Sequence, residues 1–408
     1  MHVLFVERHG LEETEVPTDL DQTGADLVVL SFSDSDLGAF AEGWKRGNNL
    51  QGDDFPTLRL ANLSALKHPV SVDTYVEKTL SQAKGILIRL IGGVPYWSYG
   101  LQEVVKLAKQ NKIACAVLPA DGREDPQLDD YSTLPSSTLR RLKELCDTGG
   151  EIAAHAALAQ LALAAGLYAA PVHGTKTLET FGAWSPEQNV CSPSDIAKAI
   201  NPDKPLIIVT FYRAFITAAD LKPIKAIFDA LRIRGFEVLG LFSPSLKIPD
   251  AAEWIISQIK QFKPVCIVNA TSFSGRGASG ESPLDIGDVP VFQVALSTSN
   301  RAAWREADRG LSPADMAMHV VLPEVDGRIF AGVASFKEPG IQDKDLEFLR
   351  IEHQPDKERI LAITDKVCRW YKLQTKPLEA QTAALILSTY PGRPWQMAHA
   401  VGLDVLAS

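Results

Sequence analysis

GILIRLIGG, residues 85–93, is an apolar run broken only by Arg89 and closed by a pair of glycines. Continuous rather than alternating apolar character belongs to a strand buried on both faces, as in a parallel sheet. Downstream, Leu101, Val104, Val105 and Ala108 recur at i, i+3, i+4 and i+7, the spacing of one helical face, and Ile113–Leu118 is a second apolar run. Upstream lie the run Asp26–Leu30, a helix expected from an N-cap at Ser35 to Lys45, and the segment Val72–Ala83 with Val72, Val76 and Leu80 on one face. Strands alternating with helices of this length predict a parallel sheet covered on both sides.

A second region repeats the rhythm. Between the two, residues 121–137 are acidic and contain proline, which suits a solvated connection, and helical patterns follow at Leu139–Cys146 and Glu151–Tyr168. Pro186, Pro193, Pro202 and Pro205 then mark a boundary, and Trp184–Pro205 is the expected hinge. PLIIVTFYR, residues 205–213, opens the second region. A helix carrying Leu221, Ile224, Phe228 and Leu231 follows, then strands at Phe236–Phe242, Val265–Asn269 and Pro290–Leu296, with a helix at Ala252–Phe262. The runs His319–Val325 and Arg328–Phe336 flank Asp326-Gly327, the residue pair of a type I′ turn, and predict a β-hairpin. A long helix is expected over Pro355–Tyr371, with Ile360, Ile363, Val367 and Trp370 as its seam, and a strand at Ala383–Leu387.

The expected fold is therefore α/β: two parallel-sheet lobes with a helical connector and a β-hairpin, truncated before a C-terminal body. The expected domains are an N-terminal lobe (1–125), a helical connector with a Pro-rich linker (126–200), a second lobe with the hairpin (201–345), and a helix and first strand leading onward (346–408).

The 408 residues are 46% hydrophobic and 22% charged, with a formal charge of −9. An acidic surface repels nucleic acid and anionic membrane, so neither is an expected partner. MHVLFVERHG lacks the apolar core of a secretory signal, and no run approaches the roughly 20 apolar residues that span a bilayer, so a cytoplasmic location is expected. Cys115, Cys146, Cys191, Cys266 and Cys368 are scattered and without a CxxC pair, as for reduced structural thiols.

Residues 275–280 match GxGxxG after a strand, but the following ESPLDIGDVP contains two prolines and cannot open the helix a dinucleotide site requires. The dipeptide Gly-Lys does not occur, which removes a P-loop, and neither GxSxG nor HExxH is present. No cofactor-binding or metal-ligating residue is expected, and no catalytic residue can be assigned. Ligands of open α/β sheets sit at the carboxyl ends of the strands. Tyr212 and Arg213, then Thr271, Ser272 and Phe273, and Gly92, Gly93, Tyr96 and Trp97 occupy such positions. Aromatic faces beside glycine pairs suit a flat macrocycle, and arginines suit its carboxylates. Tyr96 and Trp97 read equally well as packing at a helix start, and Arg213 as a surface ion-pair partner.

Residues 58–100 (LRLANLSALKHPV…), FYRAF with AAD (211–220), SPSLKIPDAAEWI (243–256), 290–329 (PVFQVALSTSN…DGRI) and ALILSTYPGRPWQMAHAVGLD (384–404) together resemble the CobN-type large subunit of aerobic cobaltochelatase, a family related to the large subunit of magnesium chelatase. The resemblance implies binding of hydrogenobyrinate a,c-diamide and insertion of Co(II), as substrate, in cobalamin biosynthesis. It implies ATP and Mg handled by a separate AAA+ partner working with a third subunit, so that this chain alone would be inactive. It also adds Arg393 to the candidate substrate-binding residues, while residues 394–397 depart from the family's pattern. Alternatives are a magnesium chelatase large subunit binding protoporphyrin, a two-lobed ligand-binding protein without catalysis, and a scaffold that docks the ATPase.

Overall fold

A computed structural model describes residues 17–120, 124–174, 177–277 and 280–384. The chain divides into two compact units, Met1–Val367 and Cys368–Ser408. Of the second unit, the described part is the end of a long helix and a 3₁₀ turn at Leu378–Ala380. Arg393 and most of the strand expected at Ala383–Leu387 lie outside the described residues; Ala383 and Ala384 carry no regular structure.

In the first unit, β1 (Leu27–Ser31), β2 (Leu58–Asn62), β3 (Gly85–Leu90) and β4 (Ala114–Pro119) form an all-parallel sheet in the order β2-β1-β3-β4. Each strand is buried along nearly its whole length, which is why none alternates. One face packs on α1 (Asp34–Gln51), α4 (Ser136–Thr148) and α5 (Gly150–Ala164), the other on α2 (Pro69–Lys78) and α3 (Ser98–Asn111). The first helix starts at Asp34 rather than after Ser35, because the Ser33 hydroxyl accepts the Asp36 N–H and so caps the turn earlier. Where α1 meets α5, Gly43 lets the backbones touch: a Cβ there would lie 2.6 Å from the His155 amide nitrogen.

The second sheet has eight strands: β5 (Gly182–Ser185), β6 (Asn189–Cys191), β7 (Leu206–Tyr212), β8 (Glu237–Ser243), β9 (Cys266–Asn269), β10 (Val291–Leu296), β11 (Ile329–Pro339) and β12 (Ile351–Pro355). Their order is β12-β11-β10-β9-β7-β8-β5-β6, parallel from β11 to β8 and antiparallel at both edges, so this sheet is mixed rather than purely parallel. Connecting helices are α6 (Pro193–Ala199), α7 (Arg213–Thr217), α8 (Lys222–Ile233), α9 (Pro249–Phe262) and α10 (Arg301–Glu306). The expected hinge begins inside regular structure at Trp184. That residue sits in β5, paired to β8, with its buried ring edge-on to Phe211 and Phe228 at 5.8 and 5.2 Å.

The hairpin expected around Asp326-Gly327 is also absent. Pro313–Val325 is helical: α11 (Pro313–Met316), a π-helical turn (Ala317–Val321) and α12 (Leu322–Val325). Ser312 caps the start by accepting the Asp315 N–H, and Pro313 occupies the first turn. Gly327, at φ +75°, ends the helix by donating to the Glu324 carbonyl at 2.8 Å. A short Val- and Leu-rich stretch fits a strand and a packed helix equally well, and the upstream cap decides between them. The hairpin of this lobe is β11–β12 instead.

Its connection, residues 340–350, reaches across to the first sheet and ties the lobes into one unit. Leu346 is fully buried in the first lobe's core. Buried Arg59 donates from Nη1 to the Asp345 carbonyl and from Nη2 to Glu347 Oε1, both at 2.8 Å. Arg350 reaches Glu42 at 3.0 Å and the carbonyls of Ala218 and Ala219 at 2.9 and 2.8 Å. The last helix, α13 (Lys357–Thr375), buries Ile360, Ile363 and Val367 within the first unit.

Candidate functional site

Each sheet has a point where the chain, having paired one neighbour, crosses to the other side: β1/β3 in the first sheet and β7/β9 in the second. Such switch points open a crevice at the strands' carboxyl ends. In the first sheet the position is filled. Arg89, 3% exposed, bonds Asp36 at 3.2 Å, Asp147 at 3.0 Å and the Pro119 carbonyl at 2.9 Å, so its charge is consumed internally. Beside it, the ring of Tyr96 lies against Gly92 and remains 64% exposed. Trp97 is buried and donates its indole N–H to the Leu66 carbonyl at 2.7 Å, so its ring is spent on packing.

The β7/β9 switch differs. Beneath it runs a buried amide relay. Thr210 and Thr271 hydroxyls both donate to Asn269 Oδ1, at 2.7 and 2.8 Å, while Asn269 Nδ2 donates to Gln293 Oε1 at 2.8 Å and Gln293 Nε2 to the Thr271 carbonyl at 2.6 Å. Above it the loop after β9 is held at successive residues. The Tyr212 hydroxyl donates to the Ser272 carbonyl at 2.6 Å and accepts the Ser272 N–H at 3.1 Å, and burial pushes its phenol pKa up. Phe273 adopts φ +65°, a strained conformation for a bulky side chain, and its N–H donates to the Met318 carbonyl at 2.7 Å. Asp326, almost wholly buried, accepts from the Ser274 hydroxyl at 2.7 Å and the Gly275 N–H at 2.6 Å. The loop is thus clamped between Tyr212 on β7 and the Pro313–Val325 helical segment with Asp326 at its end.

Behind the loop, Asp315 is fully buried and accepts from the Ser297 hydroxyl, the Thr298 N–H and the Thr298 hydroxyl at 2.9–3.0 Å. One turn on, His319 sits in the π-helical turn with Nε2 4.0 Å from Asp315; burial holds its pKa below the usual histidine value. π-turns and strained non-glycine residues concentrate at functional positions, and here they are bonded to each other.

Of the residues anticipated from strand ends, Tyr212, Thr271 and Phe273 are brought together at this crest. Arg213 follows Tyr212 in the chain but turns away, donating to the carbonyls of Glu179 and Leu178 at 3.0 and 3.1 Å. It lines a cavity of about 420 Å³ between the lobes, with Glu124, Arg140, Lys143 and Asp147. Tyr96 and Trp97 belong to the other sheet. Asp326, Asp315, His319 and the Asn269–Gln293 pair had no local signal, apart from two amides placed inside otherwise apolar strands. Among the described residues no cluster of three or more His, Cys, Asp or Glu could hold a metal ion, and no helix is long and apolar enough to cross a membrane.

The model of the CobN/Magnesium Chelatase family matches residues 140–408, which include the second sheet and its crest. The chain belongs to the CobN/magnesium chelatase family. Among family members, the aerobic cobaltochelatase subunit CobN of a Sinorhizobium species is 32% identical over 418 residues, covering 100% of this chain and 32% of the relative. The Pseudomonas aeruginosa CobN protein is 32% identical over 412 residues with the same coverage. The H-type subunit of magnesium chelatase from Rhodobacter capsulatus is 26% identical over 247 residues, 56% of this chain and 20% of the relative. The catalytic subunit of cobaltochelatase from Mycobacterium tuberculosis shares the fold over 94% of this chain and 30% of its own, with a TM-score of 0.69 at 25% identity. The chain spans about a third of the length of the CobN relatives it matches.

Proposed function

We propose that this chain is the N-terminal part of a cobaltochelatase large subunit, and that the β7/β9 crest holds the rim of its tetrapyrrole. The substrate of this reading is hydrogenobyrinate a,c-diamide, which receives Co(II) on the way to cobalamin in the cytoplasm. ATP is hydrolysed with Mg by an AAA+ partner, and a third subunit completes the ligase.

Metallation of a corrin removes its inner N–H proton and needs a macrocycle held still while it distorts. The observation that carries the proposal is the clamped loop, residues 271–277. Its shape is fixed before any ligand arrives by bonds from Tyr212, Met318 and Asp326, so little ordering entropy remains to be lost on binding. In this scheme the chain's residues bind and orient, and polypeptide beyond it, as in the longer CobN relatives, accepts the proton.

A magnesium chelatase reading is supported by the H-type relatives, but their similarity covers little more than half of this chain, against all of it for CobN. Titration with hydrogenobyrinate a,c-diamide and, separately, protoporphyrin, followed by visible absorbance, tests the choice. A saturable shift at micromolar corrin with weaker porphyrin binding is expected. Preference for protoporphyrin would favour the alternative, and no shift with either would remove the tetrapyrrole role from these lobes.

A further inference from the structure

The geometry points to Arg276 as a binding residue for a side-chain carboxylate of the ligand, aimed by Asp326; this rests on the tetrapyrrole reading above. Arg213, the arginine that sequence placed nearest the crest, uses Nε and Nη2 on main-chain carbonyls. Arg276 is differently placed. It follows the clamped residues Ser274 and Gly275, its own N–H is fixed on the Ser274 hydroxyl at 3.2 Å, and its Nε lies 3.4 Å from Asp326 Oδ1. Neither Nη makes a hydrogen bond among the described residues, and the side chain is 44% exposed. The guanidinium is therefore tethered at one edge and open at the other, the edge that forks onto a carboxylate.

Its ion pair with Asp326 engages only Nε. Asp326 faces a second arginine, Arg328, whose buried Nη2 lies 3.9 Å from Asp326 Oδ2 with no hydrogen-bond partner. The other terminal nitrogen of Arg328 bonds Asp285 at 2.7 Å. Asp285 thus pairs with Arg328 at 2.7 Å, while Asp326 lies nearer Arg276, at 3.4 Å, than Arg328, at 3.9 Å. Asp326 orients Arg276 through Nε and leaves both Nη groups to donate to an incoming carboxylate. A corrin precursor with free propionate or acetate arms supplies that anion, and esterification of the arms removes it.

The test titrates the chain with hydrogenobyrinate a,c-diamide and with its methyl ester. Wild type is expected to prefer the free acid by roughly tenfold to hundredfold, the span of one charge-assisted bidentate contact, with the preference shrinking as salt rises. R276Q is expected to bind the ester as wild type does and to lose the preference. D326N should weaken the preference too, with no further loss in the double variant; R276Q, made on an exposed side chain, decides the matter should D326N not fold. Binding of both ligands with the free-acid preference intact in R276Q overturns this inference alone. A wild-type chain that binds neither overturns the tetrapyrrole reading and this inference with it.

Discussion

His353 sets a pH dependence that can be worked from its surroundings. It lies on β12, 3% exposed, with Nδ1 3.2 Å from the Ser335 hydroxyl, its backbone N–H on Asp220 and its ring edge-on to Phe215 at 5.7 Å. Burial, helped by Lys337 and His319, lowers its pKa from 6.5 to about 3. The folded chain therefore refuses a proton that the unfolded chain accepts below pH 6.5. Stability attributable to His353 is complete above that value and is lost as pH falls towards 3. At pH 5 the loss amounts to about 2 kcal/mol relative to pH 7.5, and at the acid limit to at most about 5 kcal/mol, at about 1.36 kcal/mol per unit. His319, lowered by burial, adds in the same sense; Asp220, whose carboxyl is raised by burial, acts in the opposite one. Subtraction isolates His353: H353N retains an amide that can meet Ser335 but does not titrate. Urea-unfolding midpoints between pH 7.5 and 5 should fall less steeply for H353N, by about 2 kcal/mol over the interval. Parallel profiles for the two proteins would show that His353 is not held neutral in the fold.

Leu346→Ala removes a fully buried side chain that the β11–β12 connection inserts into the first lobe's core, and should cost about 2–5 kcal/mol in unfolding free energy. Gly43→Ala places a methyl against the His155 amide nitrogen in the α1–α5 contact, and a loss of about 1–3 kcal/mol is expected in the same measurement.

The central parallel strands of both sheets were legible because strands buried on two faces leave uninterrupted apolar runs, as in GILIRLIGG, whereas the short antiparallel strands β5, β6 and β12 carry no such run. Nor was β2 legible, since Arg59 and Asn62 break its run; the charge is met by Glu347, nearly 300 positions away, with further bonds to Asp345 and Thr23. His319–Val325 carries strand-like apolar density, and its helical state is settled by the Ser312 cap upstream. Asp326, read locally as a turn residue, proves to hold Ser274 and Gly275 across about 50 residues. Tyr212, Thr271 and Phe273 could be found by a rule about strand ends, because topology fixes where those ends converge. What holds them there is long-range hydrogen bonding, which no local pattern encodes.

The central claim is that a macrocycle sits on a crest already shaped by Tyr212, Met318 and Asp326. Amide hydrogen exchange with and without hydrogenobyrinate a,c-diamide tests it most directly. Slowed exchange confined to residues 271–277 and 313–326, with the first sheet unchanged, is the expected result. Protection by the corrin elsewhere, with these two segments exchanging as before, would contradict it.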